Sequence, residues 1–203
     1  MSYIKYMAVF LIGLTVTATT ATARIAVGEE APMTDVKMMG VDGNEVSIAD
    51  VAGEHGTLVI FSCNHCPWVK AWEDRISAIG NAYQKKGFGV IVINANDPGR
   101  VPEDDITAMK VRAKGKGFEF PYVVDATSNV ARAFGATKTP EVFLFNAEGK
   151  LTFHGAIDDD AKNPDEVEAH YLRNALDALL AGESVLLSET KAIGCSIKFR
   201  PGS

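Results

Sequence analysis

Cys63 and Cys66, in the run Cys63-Asn64-His65-Cys66, are the residues of this chain whose types and spacing point most directly to chemistry. They follow the apolar run Leu58-Val59-Ile60-Phe61 and precede a helical pattern that begins near Pro67. A dithiol where a strand gives way to a helix meets unpaired helix N–H groups and the positive end of the helix dipole, which favour a thiolate. The thiolate is the form that attacks disulfides. Cys63, expected to be exposed at the helix start, reads as the nucleophile. Cys66, about a turn further in, reads as the thiol that resolves the mixed disulfide. The competing reading is a strained structural disulfide. His65 sits between the thiols, where an imidazolium stabilises a neighbouring thiolate and raises the reduction potential. The competing reading there is a surface histidine without a role.

Three short apolar runs, Leu58–Phe61, Val90–Ile93 and Val142–Phe145, must supply the strands that position this pair. Each lacks polar alternation, as expected of central strands covered on both faces. Leu151-Thr152-Phe153, after the loop Asn146-Ala147-Glu148-Gly149, forms a hairpin with the last run. A second hairpin is expected over residues 36–48, around Asp42-Gly43-Asn44. After the dithiol, Val69, Trp72, Ile76, Ile79 and Tyr83 recur at helical spacing up to Gly87. Further helices are expected over residues 103–114 and 129–134. A last one begins with Asn163 as N-cap and Pro164 at its first position, and ends near Gly182. The alternation implies a three-layer α/β domain with a mixed sheet.

The first 23 residues have the form of a secretory signal: Lys5, an apolar stretch from Met7 to Val16, and the cleavage pattern Ala21-Thr22-Ala23. The expectation is a mature chain starting at Arg24, a domain over residues 24–182 and an extended tail over 183–203. The apolar stretch is shorter than the roughly 20 residues a membrane span needs, so a periplasmic or secreted protein with no stable span after cleavage is expected. The competing reading is an uncleaved N-terminal anchor. A net charge of −6 argues against nucleic acid and anionic membrane surfaces as partners. In an oxidising compartment three cysteines are too few for a disulfide framework, so the close pair reads as catalytic. Cys195 is left over, as an inert buried thiol, a third redox thiol that visits Cys63, or a metal ligand.

The pattern resembles the thioredoxin fold over roughly Val27 to Gly182. The resemblance rests on strand, dithiol and helix from Val59 to Tyr83, on Lys138-Thr139-Pro140 before the strand Glu141–Phe145, and on the terminal hairpin and helix. The opening Val27-Gly28-Glu29-Glu30-Ala31-Pro32 and the long stretch between Cys66 and Pro140 are similar to redoxin and peroxiredoxin-like members. The dithiol run and the tail Gly194-Cys195-Ser196-Ile197-Lys198 look like a bacterial thioredoxin-like subgroup. The resemblance implies a central mixed sheet flanked by helices, and a cis Thr139–Pro140 bond facing the dithiol. Thr139 backbone groups would then be free to pair with a substrate strand.

The function implied is thiol–disulfide exchange with protein substrates and a redox partner, using the Cys63–Cys66 disulfide, with no other cofactor and no metal. His65 before the second cysteine is similar to dithiol oxidants, whereas Asn64 stands where many relatives have Pro or Gly. Trp68 falls off the helix stripe beside the dithiol and is a candidate for apolar substrate contact. Ile60 lies about where thioredoxin proper carries a buried Asp, leaving Asp97, Asp125 and Glu73 as candidate proton acceptors. His154 reads as structural. Two other functions compete. A peroxiredoxin-like thiol peroxidase would need an upstream Thr and Pro, but Phe61 and Ser62 precede Cys63. A copper-binding module would use the thiolates with His65 or His154.

Overall fold

The computed structural model describes residues 24–201. The expected signal segment, 1–23, lies outside the described residues. Among the described residues, nine strands and four α-helices follow in chain order. They are β1 (Met38–Gly40), β2 (Glu45–Val46), β3 (Thr57–Phe61), α1 (Pro67–Gln84), β4 (Gly89–Asn94), α2 (Ile106–Lys116) and β5 (Tyr122–Val124). Then come α3 (Asn129–Phe134), β6 (Lys138–Thr139), β7 (Glu141–Phe145), β8 (Leu151–Gly155), α4 (Tyr171–Leu180) and β9 (Cys195–Ser196). Seven strands form one mixed sheet in the order β2-β1-β5-β4-β3-β7-β8. β3 lies inside the sheet: it runs parallel to β4, with Phe61 opposite Ile93, and antiparallel to β7, with Phe61 opposite Glu141.

The unbroken apolar character of these strands follows from cover on both faces. Leu58, Ile60, Val90, Val92, Val142 and Leu144 point to one side, into a cluster with Trp72, Ile76, Met109 and Leu176 from α1, α2 and α4. Their alternate neighbours, Val59, Phe61, Ile91, Ile93, Phe143 and Phe145, meet Val130 and Phe134 of α3 and Ile25 of the N-terminal segment. Phe134 stacks edge-on against Phe61, Phe143 and Phe145. All five residues of the expected α1 stripe are buried.

Two helices start later than expected. Pro102–Asp104 is a separate 3₁₀ turn, and α2 opens at Ile106 because the Asp105 carboxylate accepts the Ala108 N–H and caps the helix there. Asn163 does not cap α4. It hydrogen-bonds Asp160 instead, Pro164–Glu166 makes a single 3₁₀ turn, and α4 opens at Tyr171. The strands β5, β6 and β9 are short and carried no pattern strong enough to anticipate.

The segment after α4 runs alongside the domain. Ser188 and Thr190 bond the backbone of His154 in β8. β9 then pairs with β6, and Ile197 is buried against the α3 face.

Candidate active site

The dithiol sits where β3 ends and α1 begins. Cys66 occupies the N-cap in extended conformation and Pro67 the first helical position. Proline suits that position because its fixed φ matches the helix and its missing N–H would have had no partner. The first turn of α1 holds no acidic residue, so nothing there offsets the positive dipole end. All three thiols are free.

The Thr139–Pro140 bond is cis, as expected, and Thr139 touches both sulfurs. Its Oγ1 lies 3.1 Å from Cys63 Sγ, and its carbonyl oxygen 3.1 Å from Cys66 Sγ. Those contacts sort the two thiols. A carbonyl only accepts, so it holds the proton on Cys66, whereas a hydroxyl can donate to a Cys63 thiolate. The hydrogen bond between the two thiols, together with burial, raises Cys63, and the same bond pulls Cys66 below the ordinary thiol range despite its burial. These opposite shifts describe one proton shared by the pair. Thr139 works against those directions: its hydroxyl lowers Cys63, and its carbonyl, which cannot donate, disfavours charge on Cys66.

Cys63 is not exposed at the helix start, contrary to expectation. It is 1% accessible and Cys66 is fully buried, with Trp68 and Cys195 packed against them. Nor are the Thr139 backbone groups free. β9 occupies them, pairing Thr139 with Cys195 and Lys138 with Ser196. Cys195 Sγ lies 2.7 Å from Cys66 Sγ, so the third thiol meets the resolving cysteine rather than Cys63. Trp68 is half-buried, beside Trp72 and under the Lys162 ammonium, and lines a shallow groove with Ile193 of the tail.

Asp104 was missed from sequence. Its carboxylate is buried and accepts the Asn64 N–H at 2.6 Å, His65 Nδ1 at 2.7 Å and Asn96 Nδ2 at 2.7 Å. Asn64 donates onward to the Glu103 carbonyl and accepts the Tyr122 hydroxyl. Asn64 and His65 therefore fasten the dithiol turn to the fold. A carboxylate of Asp104, the His65 ring and Cys63 Sγ lie within 4.8 Å of one another. The group fits a hydrogen-bonded network better than an open metal site, because Asp104 is already shared among three donors and binds the His65 ring.

None of the three acids expected to replace the missing buried Asp stands at the dithiol. Glu73 is buried against Arg112 and Lys116, Asp125 accepts the Ala131 N–H of α3, and Asp97 closes a turn at Gly99. Asp104 is the acid that does. Its charge is one of the causes, after the Cys66 hydrogen bond and burial, that hold the Cys63 thiol up. Asp104→Asn should therefore move the onset of Cys63 alkylation to lower pH, measured by iodoacetamide labelling across pH. An onset unchanged or moved upward contradicts this role.

Glu141 was also missed. It opens β7 directly after Pro140, and its Oε2 accepts the Thr137 and Lys138 N–H groups at 2.8 Å each. Its Oε1 accepts His154 Nε2 at 2.8 Å, and both side chains are buried. His154 is thus fixed in β8 by its bond to Glu141, in keeping with a structural role. An acidic residue heading an otherwise apolar buried strand was the signal in the sequence.

A parallel–antiparallel sheet, a dithiol at a helix N-terminus and a cis-proline beside it define a thioredoxin-like protein. The chain belongs to the Redoxin family, whose family model matches residues 26–171. It is 36% identical to an uncharacterized conserved protein from Geobacillus kaustophilus, with a TM-score of 0.81 over 88% of this chain and 94% of that one. A hypothetical protein from Sinorhizobium meliloti is 33% identical, with a TM-score of 0.81 over 89% of this chain and 98% of that one. A thioredoxin-like protein solved in its oxidized form shares the fold at 19% identity, with a TM-score of 0.61 over 78% of this chain and 98% of that one. Among curated relatives, the protein named thiol-disulfide oxidoreductase ResA from Halalkalibacterium halodurans is 24% identical over 55% of this chain. The match spans 58% of that protein's length. The protein of the same name from Geobacillus thermodenitrificans is 27% identical over 63% of this chain and 67% of its own length. Among the described residues, no helix is long and apolar enough to cross a membrane.

Proposed function

We propose that this chain is an exported thiol–disulfide oxidoreductase that exchanges disulfides with protein substrates through Cys63 and Cys66. The observation that carries the reading is the pair of sulfurs at the start of α1, each held by Thr139 of the cis-proline loop. The names of the curated relatives and the family membership support it. Export is supported by the Lys5 to Ala23 segment, and the exported chain should then begin at Arg24 on N-terminal sequencing; an intact Met1 in the exported fraction contradicts cleavage.

In the reducing direction the Cys63 thiolate attacks one sulfur of the substrate disulfide. That S–S bond breaks and one substrate thiolate leaves. Cys66 then loses its proton and attacks Cys63 Sγ, expelling the second substrate thiolate and closing the Cys63–Cys66 disulfide. Two electrons have passed to the substrate, and its two sulfurs take up the protons. Thr139 positions both sulfurs, and the Asp104–His65 pair holds the turn that carries them. Oxidation of a substrate dithiol is the same sequence reversed, and a redox partner restores the starting form.

Cys66→Ser should accumulate mixed disulfides with substrate proteins, and Cys63→Ser should not, as read by non-reducing gels with mass spectrometry. Equal trapping by the two variants would sink the division of roles.

A further inference from the structure

The backbone edge that a substrate strand would use is already taken by the protein's own tail. Thr139 pairs with Cys195 and Lys138 with Ser196, and the Ile197 N–H donates to the Thr137 carbonyl at 3.0 Å. The tail is fastened on both sides of Cys195. Upstream, the Thr190 N–H donates to the His154 carbonyl at 2.9 Å. Downstream, the Lys198 N–H donates to Asn96 Oδ1 at 2.7 Å, the Asp97 N–H to the Lys198 carbonyl at 2.8 Å, and the Arg200 N–H to Ser128 Oγ at 3.0 Å. Gly194 permits the close approach, since a Cβ there would stand 2.2 Å from the Thr139 carbonyl oxygen. Register and anchors together set Cys195 Sγ 2.7 Å from Cys66 Sγ.

We infer that Cys195 is a third catalytic thiol, delivered by its tail strand to Cys66, and that it exchanges into a Cys66–Cys195 disulfide that releases Cys63. The inference rests on the Cys63/Cys66 exchange proposed above. Starting from the Cys63–Cys66 disulfide, the Cys195 thiolate attacks Cys66 Sγ. The Cys63–Cys66 bond breaks, the Cys66–Cys195 bond forms, and Cys63 leaves as the thiolate. One disulfide replaces another, so no electrons enter or leave, and the Cys195 proton is available to Cys63.

The electrostatics give this step a direction. Cys195 is held up to about 11 by burial first and by its contact with Cys66 second, while Lys138 and Lys198 pull it down. Oxidation of Cys66 removes the second cause and leaves the two lysines, so Cys195 ionises more readily once the active-site disulfide exists. The reduced tail shields the dithiol, and a substrate strand must displace residues 194–197 to reach Cys63.

The test is oxidation of Cys63→Ser by oxidised glutathione, followed by alkylation and peptide mapping. The incubation is a single stoichiometric oxidation at alkaline pH, where Cys66 loses its proton without Cys63, attacks the small glutathione disulfide and expels one glutathione thiolate; it is not turnover of a protein substrate at neutral pH. Cys195 then attacks Cys66 Sγ and expels the second. The expected product is the Cys66–Cys195 disulfide. Adding Gly194→Val, which drives the tail off Thr139, should lower its ratio to the Cys66–glutathione adduct by at least about tenfold, because the effective concentration of Cys195 falls. In the wild type, partial oxidation should yield a fraction with Cys66 bonded to Cys195 and Cys63 alkylated. A glutathione adduct as the main product or two free thiols in oxidised Cys63→Ser, an undiminished bond in the Gly194→Val background, or only Cys63–Cys66 in the wild type would each overturn the inference. The reading of Cys63 and Cys66 is judged separately, by the mixed disulfides that Cys66→Ser traps.

Discussion

Glu141→Ala should lower the stability of the fold by about 1–3 kcal/mol, the cost of leaving buried polar groups without their hydrogen-bond partner. Its carboxylate is 4% exposed and that of its partner His154 3%. Removing it takes the acceptor from the Thr137 and Lys138 N–H groups, where the chain enters β6 beside the dithiol. It also strands His154 Nε2, in a ring whose Nδ1 already has no hydrogen-bond partner among the described residues. An unpaired buried polar group costs about 1–3 kcal/mol; the His154 ring is buried and the Thr137 and Lys138 amides add a smaller, part-buried loss, so the upper part of that range is the expectation. Glu141→Gln keeps the shape and one acceptor oxygen, and should cost less. Urea unfolding followed by the buried Trp72 measures both. A loss below about 1 kcal/mol for Glu141→Ala would mean that the loop amides find water or another acceptor, and that Glu141 does not hold the cis-proline loop.

The largest effect on activity is expected at Cys63. Cys63→Ser should reduce disulfide exchange with a protein substrate such as insulin to the rate of buffer alone, because a serine hydroxyl at neutral pH offers no thiolate. Its geometry singles it out. Thr139 Oγ1 can donate to Cys63, while the Thr139 carbonyl can only accept and so favours the protonated form of Cys66. Serine fits the same small buried site, so the variant should keep its fold and its thermal transition. Turnover above background in Cys63→Ser would show that Cys66, or Cys66 with Cys195, begins exchange unaided.

What the sequence made legible was whatever depends on local pattern. Strands β3, β4 and β7 announced themselves because both faces are buried, and α1 because its five apolar positions keep helical spacing. The dithiol and Thr139-Pro140 could be paired across more than seventy positions only through the resemblance to a known fold. The parts that escaped depend on tertiary placement. Asp104 stands in the acidic run Glu103-Asp104-Asp105, and nothing in that run marks which carboxylate turns inward to His65 and which caps α2. Asn163 offered a good cap by type and spacing, but Asp160 competes for its side chain and wins. Cys195 had three readings until strand pairing at Thr139 set it against Cys66. The burial of Cys63 follows from the same pairing, since a tail with no strong pattern of its own covers the site.

Equilibration of the wild-type protein across glutathione redox buffers, with quenching, differential alkylation and mapping of all three cysteines, shows which thiols form the redox pair. The expected result is one reversible two-electron transition in which Cys66 loses its free thiol together with Cys63, except in the rearranged fraction, where Cys66 is bonded to Cys195 and Cys63 is again free. A chain in which Cys63 stays reduced and unbonded at every buffer ratio, while Cys66 and Cys195 alone oxidise, would contradict it.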